Sequence, residues 1–341
     1  MKRKGKGVAV TIHSSGLTGG NDPSDAVVRM HADGSVTVNI GSVELGQGIK
    51  TVARQIAAEV LQLDPDLVRV VAGDSDAGPV CTGQFASRTT LVCGNAVKKA
   101  AQALKHKLLE YAGGKLQTPP DGLVYLDGSI TSAADSGRSV KVKDLAAEAF
   151  WVAQDALIGV GRHNPAFAPR DNTTGQADFF QALQYISCVA QVSVDDLTGV
   201  VDVDKMYVAL EMGTAINPLL LEGQIEGGAG FGVGFALAED VLPYYPSIEH
   251  VRTSFREYRI PTALDMPHIK SILVEKPSSF GPFGAKGCGE IVANVGGPAI
   301  VNAVSNALGG VKFFELPLTP ERILRALDQQ QKAIRLETIS Q

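Results

Sequence analysis

Residues 26–31 (A-V-V-R-M-H) and 35–40 (S-V-T-V-N-I) are short apolar-rich runs separated by Ala32-Asp33-Gly34. Alternation with period two around an Asp-Gly turn predicts a β-hairpin with one buried face. A glycine-bearing connector, 41–48, leads into residues 49–61, where Val52, Ala53, Ile56, Ala57 and Val60 recur at helical spacing. Residues 68–72 read as the next strand. Residues 94–111 read as a long helix with Val97, Ala101, Leu104 and Leu108 on one stripe. Beyond it come a small hairpin over 123–131 turning at Asp127-Gly128, a helix over 142–154, and a polar stretch, 159–178, that reads as a long loop.

The opening pattern then recurs. Residues 187–194 and 200–209 form strand-like runs around Leu197-Thr198-Gly199, and Glu211-Met212-Gly213 leads to a helix over 217–238. The first half has the same order: strand, glycine turn, strand, Glu44-Leu45-Gly46, helix. Two related lobes account for this, and chance similarity of ββα units is the alternative. The 217–238 helix carries Gly223, Gly227, Gly228, Gly230, Gly232 and Gly234. Each interior glycine costs up to about 1 kcal/mol relative to alanine. Such a helix needs tight packing against other backbone, or it faces a ligand. A strand at 269–274, a glycine loop at 281–289 and helices at 297–308 and 320–331 complete the pattern. Thr319 is the candidate N-cap of the last helix, with Pro320 in its first turn.

Composition narrows the function. The chain has 341 residues, 45% of them apolar, which is ample for a buried core. Its net charge of −5 lacks the basic footprint of a nucleic-acid binder. The one dense basic run, Lys2-Arg3-Lys4-Gly5-Lys6, reads as a solvated terminus. No run of about 18 apolar residues predicts a membrane span, and no apolar core of a secretory leader follows the basic run. Cys81, Cys93, Cys188 and Cys288 are scattered without a CxxC pair. That pattern suits a reducing compartment such as the cytoplasm and offers no iron–sulfur ligand set. The six histidines are equally dispersed, so no protein-ligated metal is expected.

Three segments could carry chemistry. Gly46-Gln47-Gly48, at a helix start, offers backbone donors and an amide suited to a phosphate or a heterocycle edge. Ala86-Ser87-Arg88-Thr89, followed by Gly94-Asn95-Ala96, combines hydroxyls, an arginine and a helix start with Asn95 as candidate cap. It reads either as an anion site or as ordinary capping. Gly284-Ala285-Lys286-Gly287-Cys288-Gly289-Glu290 is neither a P-loop nor a dinucleotide fingerprint. Its glutamate is either a helix-start carboxylate complementing the macrodipole or a general base on a tight loop.

Taken in order, these segments with Ile216-Asn217-Pro218 and Gly223-Gln224-Ile225-Glu226-Gly227 resemble the xanthine dehydrogenase and aldehyde oxidase family of molybdenum hydroxylases. The likeness is to the C-terminal half of the molybdopterin-binding catalytic subunit and covers nearly the whole chain. It implies an α+β fold of two related ββα-containing lobes, residues 1–180 and 181–341, the second carrying the catalytic glutamate loop. It implies that Glu290 is the base toward a molybdenum-bound hydroxide whose oxygen attacks an electron-poor carbon. The substrate would be an N-heterocycle (purine or nicotinate type) or an aldehyde, with water as the oxygen source. Cofactor-binding residues implied are Gly46, Gln47, Gly48, Ala86, Ser87, Arg88, Thr89, Asn95, Gln224 and Gly287, with Val10 and Thr11 toward substrate. Molybdenum would be held by the pterin, with a cytosine-dinucleotide form as one alternative.

Two departures stand out. Ile291 replaces the proline that usually follows the glutamate, and Cys288 replaces an aliphatic residue. The family's N-terminal half, with its substrate clamp, has no counterpart here. The expectation is a split catalytic subunit working with a larger companion chain, a [2Fe–2S] subunit and an FAD subunit. A non-catalytic interaction subunit is the main alternative, and a free-standing carbohydrate- or nucleotide-binding module a third.

Overall fold

The computed structural model describes residues 1–17, 21–166, 170–176, 180–240 and 254–339. Two four-stranded sheets, each backed by helices, enclose two apolar cores. One core draws its residues from Ala26 to Leu157 and the other from Ile186 to Leu327.

In the first sheet, β2 (Ser24–Met30) and β3 (Val36–Ile40) form the expected antiparallel hairpin, with Val36, Val38 and Ile40 facing inward. Helix α1 (Ile49–Leu61) crosses over to β4 (Val68–Ala72), which runs parallel to β3. The second sheet repeats this plan. β9 (Leu183–Asp195) and β10 (Val201–Glu211) pair antiparallel, α4 (Pro218–Leu237) follows, and β11 (His268–Val274) lies parallel to β10. Each hairpin gains an antiparallel edge strand: β8 (Ile158–His163) beside β2, and β1 (Lys2–Ser14) beside β9. A long helix backs each edge, α2 (Thr89–Leu116) behind β8 and β2, and α6 (Gly296–Ala307) behind β1 and β9. Between α2 and β8 lie a three-stranded sheet, β5 (Leu123–Leu126), β6 (Ser129–Ser132) and β7 (Asp135–Lys141), and helix α3 (Val142–Trp151).

Three expectations from the sequence are corrected. The basic N-terminal run is solvated as expected, and it is also ordered. It opens β1, where Lys2 pairs with Asp202 and Arg3 with Asp196. That strand joins the second sheet, so the division at residue 180 does not separate the two sheets. Within the expected loop 159–178, Ile158–His163 is a strand; residues 167–169 and 177–178 of that stretch lie outside the described residues. Helix α2 begins at Thr89, so Asn95 is no cap: its Nδ2 donates to the Phe280 carbonyl at 2.7 Å.

The edge strands were hidden because glycine occupies their inward positions. A Cβ on Gly159 or Gly161 would lie 2.1–2.2 Å from the Ala100 and Ala96 carbonyls of α2. A Cβ on Gly5 or Gly7 would meet the Ala303 and Ala299 carbonyls of α6 at 2.1–2.3 Å. Strand and helix approach so closely that only hydrogen fits between them. The glycines of α4 divide similarly. Gly228 and Gly232 abut Val292 and Gly296, whereas Gly223 and Gly227 face open space. Asn217 caps α4, its side chain accepting from the Leu220 N–H at 3.1 Å.

Candidate active site

Between the lobes lies a cleft of about 150 Å³. The first lobe contributes Leu45, Gln47 and, from the 84–90 segment, all but Ala86 and Arg88; the second contributes Gln224 and residues 287–290. A smaller apolar cavity continues from it past Val52, Ile216 and Leu221.

Glu290 stands at the junction. It follows the glycine loop and precedes the short helix α5 (Ile291–Asn294), yet its side chain caps nothing. Its Oε1 accepts the Ala86 N–H at 3.0 Å, and its own N–H reaches Ser87 Oγ at 3.3 Å. Its Oε2 lies 3.3 Å from His13 Nε2 on β1, and the carboxylate remains about half exposed, at 46%. Glu290 keeps the helix-start position of the first sequence reading, but its side chain makes no capping hydrogen bond to α5 and its carboxylate is turned toward Ala86 and His13.

The Ala86-Ser87 turn is strained, with both residues in the left-handed region at φ 48°. Such outliers persist where their surroundings over-determine them. Here the Ala86 carbonyl accepts from the Gly16 N–H at 2.8 Å while its N–H goes to Glu290. Arg88 anchors the following residue from below. Its side chain is fully buried, with Nε 2.5 Å from Asp22 Oδ1. Its Nη1 donates to the Gly83 carbonyl at 2.8 Å and to Cys81 Sγ at 3.2 Å, and its Nη2 reaches the Asp22 and Pro23 carbonyls. Arg88 therefore holds the loop and does not line the cleft, which corrects its expected role toward a cofactor.

The catalytic-type loop is pinned separately. Lys286 Nζ donates to both oxygens of Glu211 at 2.8–2.9 Å and to the Leu183 carbonyl, in a pair only 10–11% exposed. Gly287 passes so near the strained turn that a Cβ there would stand 1.9 Å from the Ser87 carbonyl oxygen.

At the other wall, Gln47 folds back on its loop. Its Nε2 donates to the Val43 carbonyl at 2.9 Å and its Oε1 accepts the Leu45 N–H at 2.6 Å. The backbone donors of Gly46 and Gly48 are not free, as their spacing suggested. With that of Lys50 they converge on Glu44 at 2.8–3.0 Å. Partial burial would raise the Glu44 carboxyl, but those three N–H groups outweigh it and hold the group below its ordinary range.

Of the expected residues, Gln47, Ser87, Thr89, Gln224, Gly287 and Glu290 come together around the cleft. Gly46, Gly48 and Ala86 shape its backbone, and Asn95 lies away on α2. Val10 and Thr11 line a different, open groove over the second sheet with Tyr185, Ala209 and Glu211. The sequence reading assigned no role to His13, Glu44, Gln84 or the Lys286–Glu211 pair. Glu44, Glu211 and Lys286 sat inside quoted motifs; His13 and Gln84 carried no local signal.

A model of the molybdopterin cofactor-binding domain matches residues 1–267. The chain belongs to the molybdenum hydroxylase family. Among similar members is the nicotine 6-hydroxylase large subunit of Paenarthrobacter nicotinovorans, 34% identical over 339 residues, 95% of this chain and 40% of that protein. A probable hypoxanthine oxidase of Escherichia coli (strain K12) is 32% identical over 331 residues, 95% of this chain and 32% of that protein. The crystal structure of quinoline 2-oxidoreductase from Pseudomonas putida 86 superposes with a TM-score of 0.84 at 28% identity, covering 96% of this chain and 42% of that one. The chain thus spans about a third to two fifths of the length of these molybdenum hydroxylases.

The cleft's donor set fits the pterin. Gln224, Ser87 and Thr90 are uncharged groups that both donate and accept, which suits the edge of a heterocycle, while Gln84 and Thr89 are bonded to each other and Gln84 also to the Val43 carbonyl. Among the described residues no group of three His, Cys, Asp or Glu could hold a metal ion, and none of the helices is long and apolar enough to cross a membrane.

Proposed function

We propose that this chain forms one wall of the molybdopterin site in a multi-subunit molybdenum hydroxylase, with Glu290 as general base. The reaction is oxidation of an N-heterocycle of purine or nicotinate type, or of an aldehyde, with water as the oxygen source. The observation that carries the reading is the Glu290 carboxylate itself. It stands at the edge of a cleft that holds amide and hydroxyl side chains, oriented by a backbone N–H from the opposite lobe and making no side-chain capping bond to α5.

When bound, the molybdenum–pterin group supplies the oxygen-transfer and electron-accepting chemistry. The chain's residues do the remainder. Ser87, Thr89 and Gln224 bind the pterin edge, Gln47 joins them by exchanging its bonds to the Val43 carbonyl and Leu45 N–H for the cofactor, and Gly287 lets the two loops meet. Glu290 takes a proton from the attacking water-derived oxygen, a role worth about 10²–10⁴ in rate. Val10 and Thr11 belong to the substrate side, on the groove of the second sheet. The four cysteines are scattered without a CxxC pair, and onward electron flow is assigned to partner subunits carrying [2Fe–2S] clusters and FAD. A larger companion molybdopterin subunit belongs to the same proposal. Free thiols suit a cytoplasmic setting. The cytosine-dinucleotide form of the pterin is part of the same proposal.

The test is the native complex isolated with and without Glu290→Gln. Molybdenum and pterin content should be equal in both. Turnover of nicotinate, purine or aldehyde with an artificial acceptor should fall at least about a hundredfold in the variant. Equal turnover would refute the base and favour a non-catalytic interaction subunit.

A further inference from the structure

Three elements distant in sequence meet at one peptide group. The end of β1 brings its Gly16 N–H to the Ala86 carbonyl at 2.8 Å, and the Ala86 N–H continues to Glu290 Oε1 at 3.0 Å. His13, three residues before Gly16, closes the figure through Nε2, 3.3 Å from Glu290 Oε2. The imidazole is largely enclosed, its side chain 22% exposed, and its Nδ1 is buried with no hydrogen-bond partner. The carboxylate is thus the polar anchor of the ring, and the ring braces the carboxylate oxygen that Ala86 does not hold. Register fixes this placement, since His13 lies opposite Gln184 in the β1–β9 ladder. The charged groups on the surrounding elements are engaged elsewhere, Arg88 with Asp22 and Lys286 with Glu211.

We infer that His13 is a positioning residue that holds the Glu290 carboxylate against the Ala86 amide, fixing the direction in which its free lone pairs face the cleft. The inference rests on the reading of Glu290 as the base. A carboxylate at the start of a four-residue helix, preceded by two glycines within four positions, has little else to set its rotamer. Misplacement by about 1 Å can cost about a hundredfold in rate, so the ring acts on turnover without touching substrate.

Two readouts test it. The first needs no cofactor: amide hydrogen exchange of this chain, followed at Ala86 and along β1 and β9. His13→Ala should speed exchange at Ala86 roughly three- to tenfold while Val10 and Ile186 stay as in the parent. His13→Gln, which keeps a donor near the Nε2 position, should restore slow exchange. Unchanged exchange at Ala86, or equal acceleration along the whole β1–β9 ladder, would overturn the inference. The second readout is turnover of the assembled complex. His13→Ala should lower kcat about tenfold or more with KM within about twofold, and His13→Gln should recover most of the loss. Selective exchange at Ala86 with unchanged kcat would leave the positioning intact and refute Glu290 as the base.

Discussion

Replacing Gly287 with alanine tests whether the site depends on contact between its two loops. The added Cβ would lie 1.9 Å from the Ser87 carbonyl oxygen and 2.7 Å from its carbon. Both are rigid backbone atoms, so one loop must retreat by roughly 1 Å or more to reach ordinary contact. The Ala86 N–H bond to Glu290 is 3.0 Å long, and a retreat of that size breaks it. Overpacking of this kind costs about 1–3 kcal/mol, and loss of a hydrogen bond to a charged group about 1.5–3 kcal/mol. The carboxylate is half exposed, so water replaces part of the second loss, and a total of about 2–4 kcal/mol is expected. The assay is urea unfolding of the parent and the variant, read as a change in midpoint at constant slope, with amide exchange at Ala86 alongside. A variant with an unchanged midpoint and a slow Ala86 amide would show that the loops do not meet as described. A lower midpoint with an intact Ala86 amide would refute only the link between Gly287 and Glu290.

Further outcomes follow from the same contacts. Lys286→Met should destabilise by about 3–5 kcal/mol, because it leaves Glu211 charged and enclosed, and adding Glu211→Gln should recover part of the loss in denaturant titrations. Arg88→Lys should lower stability by about 2–4 kcal/mol, since one ammonium cannot replace a guanidinium fork that serves Asp22, Gly83 and Pro23, and an unchanged melting curve would contradict the buried network. Burial pushes the Cys81 thiol up, but its contacts with Ser42, Gly83 and Arg88 outweigh this and leave it below the ordinary value. The Cys93 thiol is pushed up to about 11 and those of Cys188 and Cys288 to about 12, each chiefly by burial. Iodoacetamide near neutral pH should therefore label Cys81 first, as mass spectrometry of peptides would report. Burial, helped by nearby Lys99, lowers His163 to about 4. The unfolded chain then binds the proton more readily, so stability should fall as pH drops from about 6.5 toward 4, and His163→Gln should flatten that fall in pH-dependent melting.

How much of this was legible depended on where the determining contact lay. The hairpin around Asp33-Gly34 could be read because a strand with one wet face writes its own period. The ordered motif set led to Glu290, since glycine loops announce a close approach even when they do not say to what. The start of α2 was misplaced because Asn95 has the chemistry of a cap, whereas the helix is fixed upstream by Arg88, which is bound to Asp22. Arg88 illustrates the limit well. Its sequence neighbours, hydroxyls and a helix start, suggest an anion site, and only the fold brings Asp22 beneath it. His13 was invisible for the same reason, as its partner is 277 positions away. Strands β1 and β8 were obscured by the glycines that replace their inward side chains.

The pairing of β1 with β9 has a consequence for how the chain is made. Residues 24–163, which build the whole first sheet, are spliced into the connection between two neighbouring strands of the second. On a ribosome adding about 5–20 residues per second, β1 waits on the order of ten to forty seconds before β9 exists. During that interval Val8, Val10 and Ile12 form an alternating apolar strand with no mate, the kind of edge that recruits other chains. Lys2, Arg3, Lys4 and Lys6 travel directly ahead of it. Like charges on that segment oppose its pairing with a second nascent copy, as gatekeeper residues do. When β9 emerges, Asp196 and Asp202 arrive with its hairpin and pair with Arg3 and Lys2, so the charge that deterred strangers now helps select the proper register.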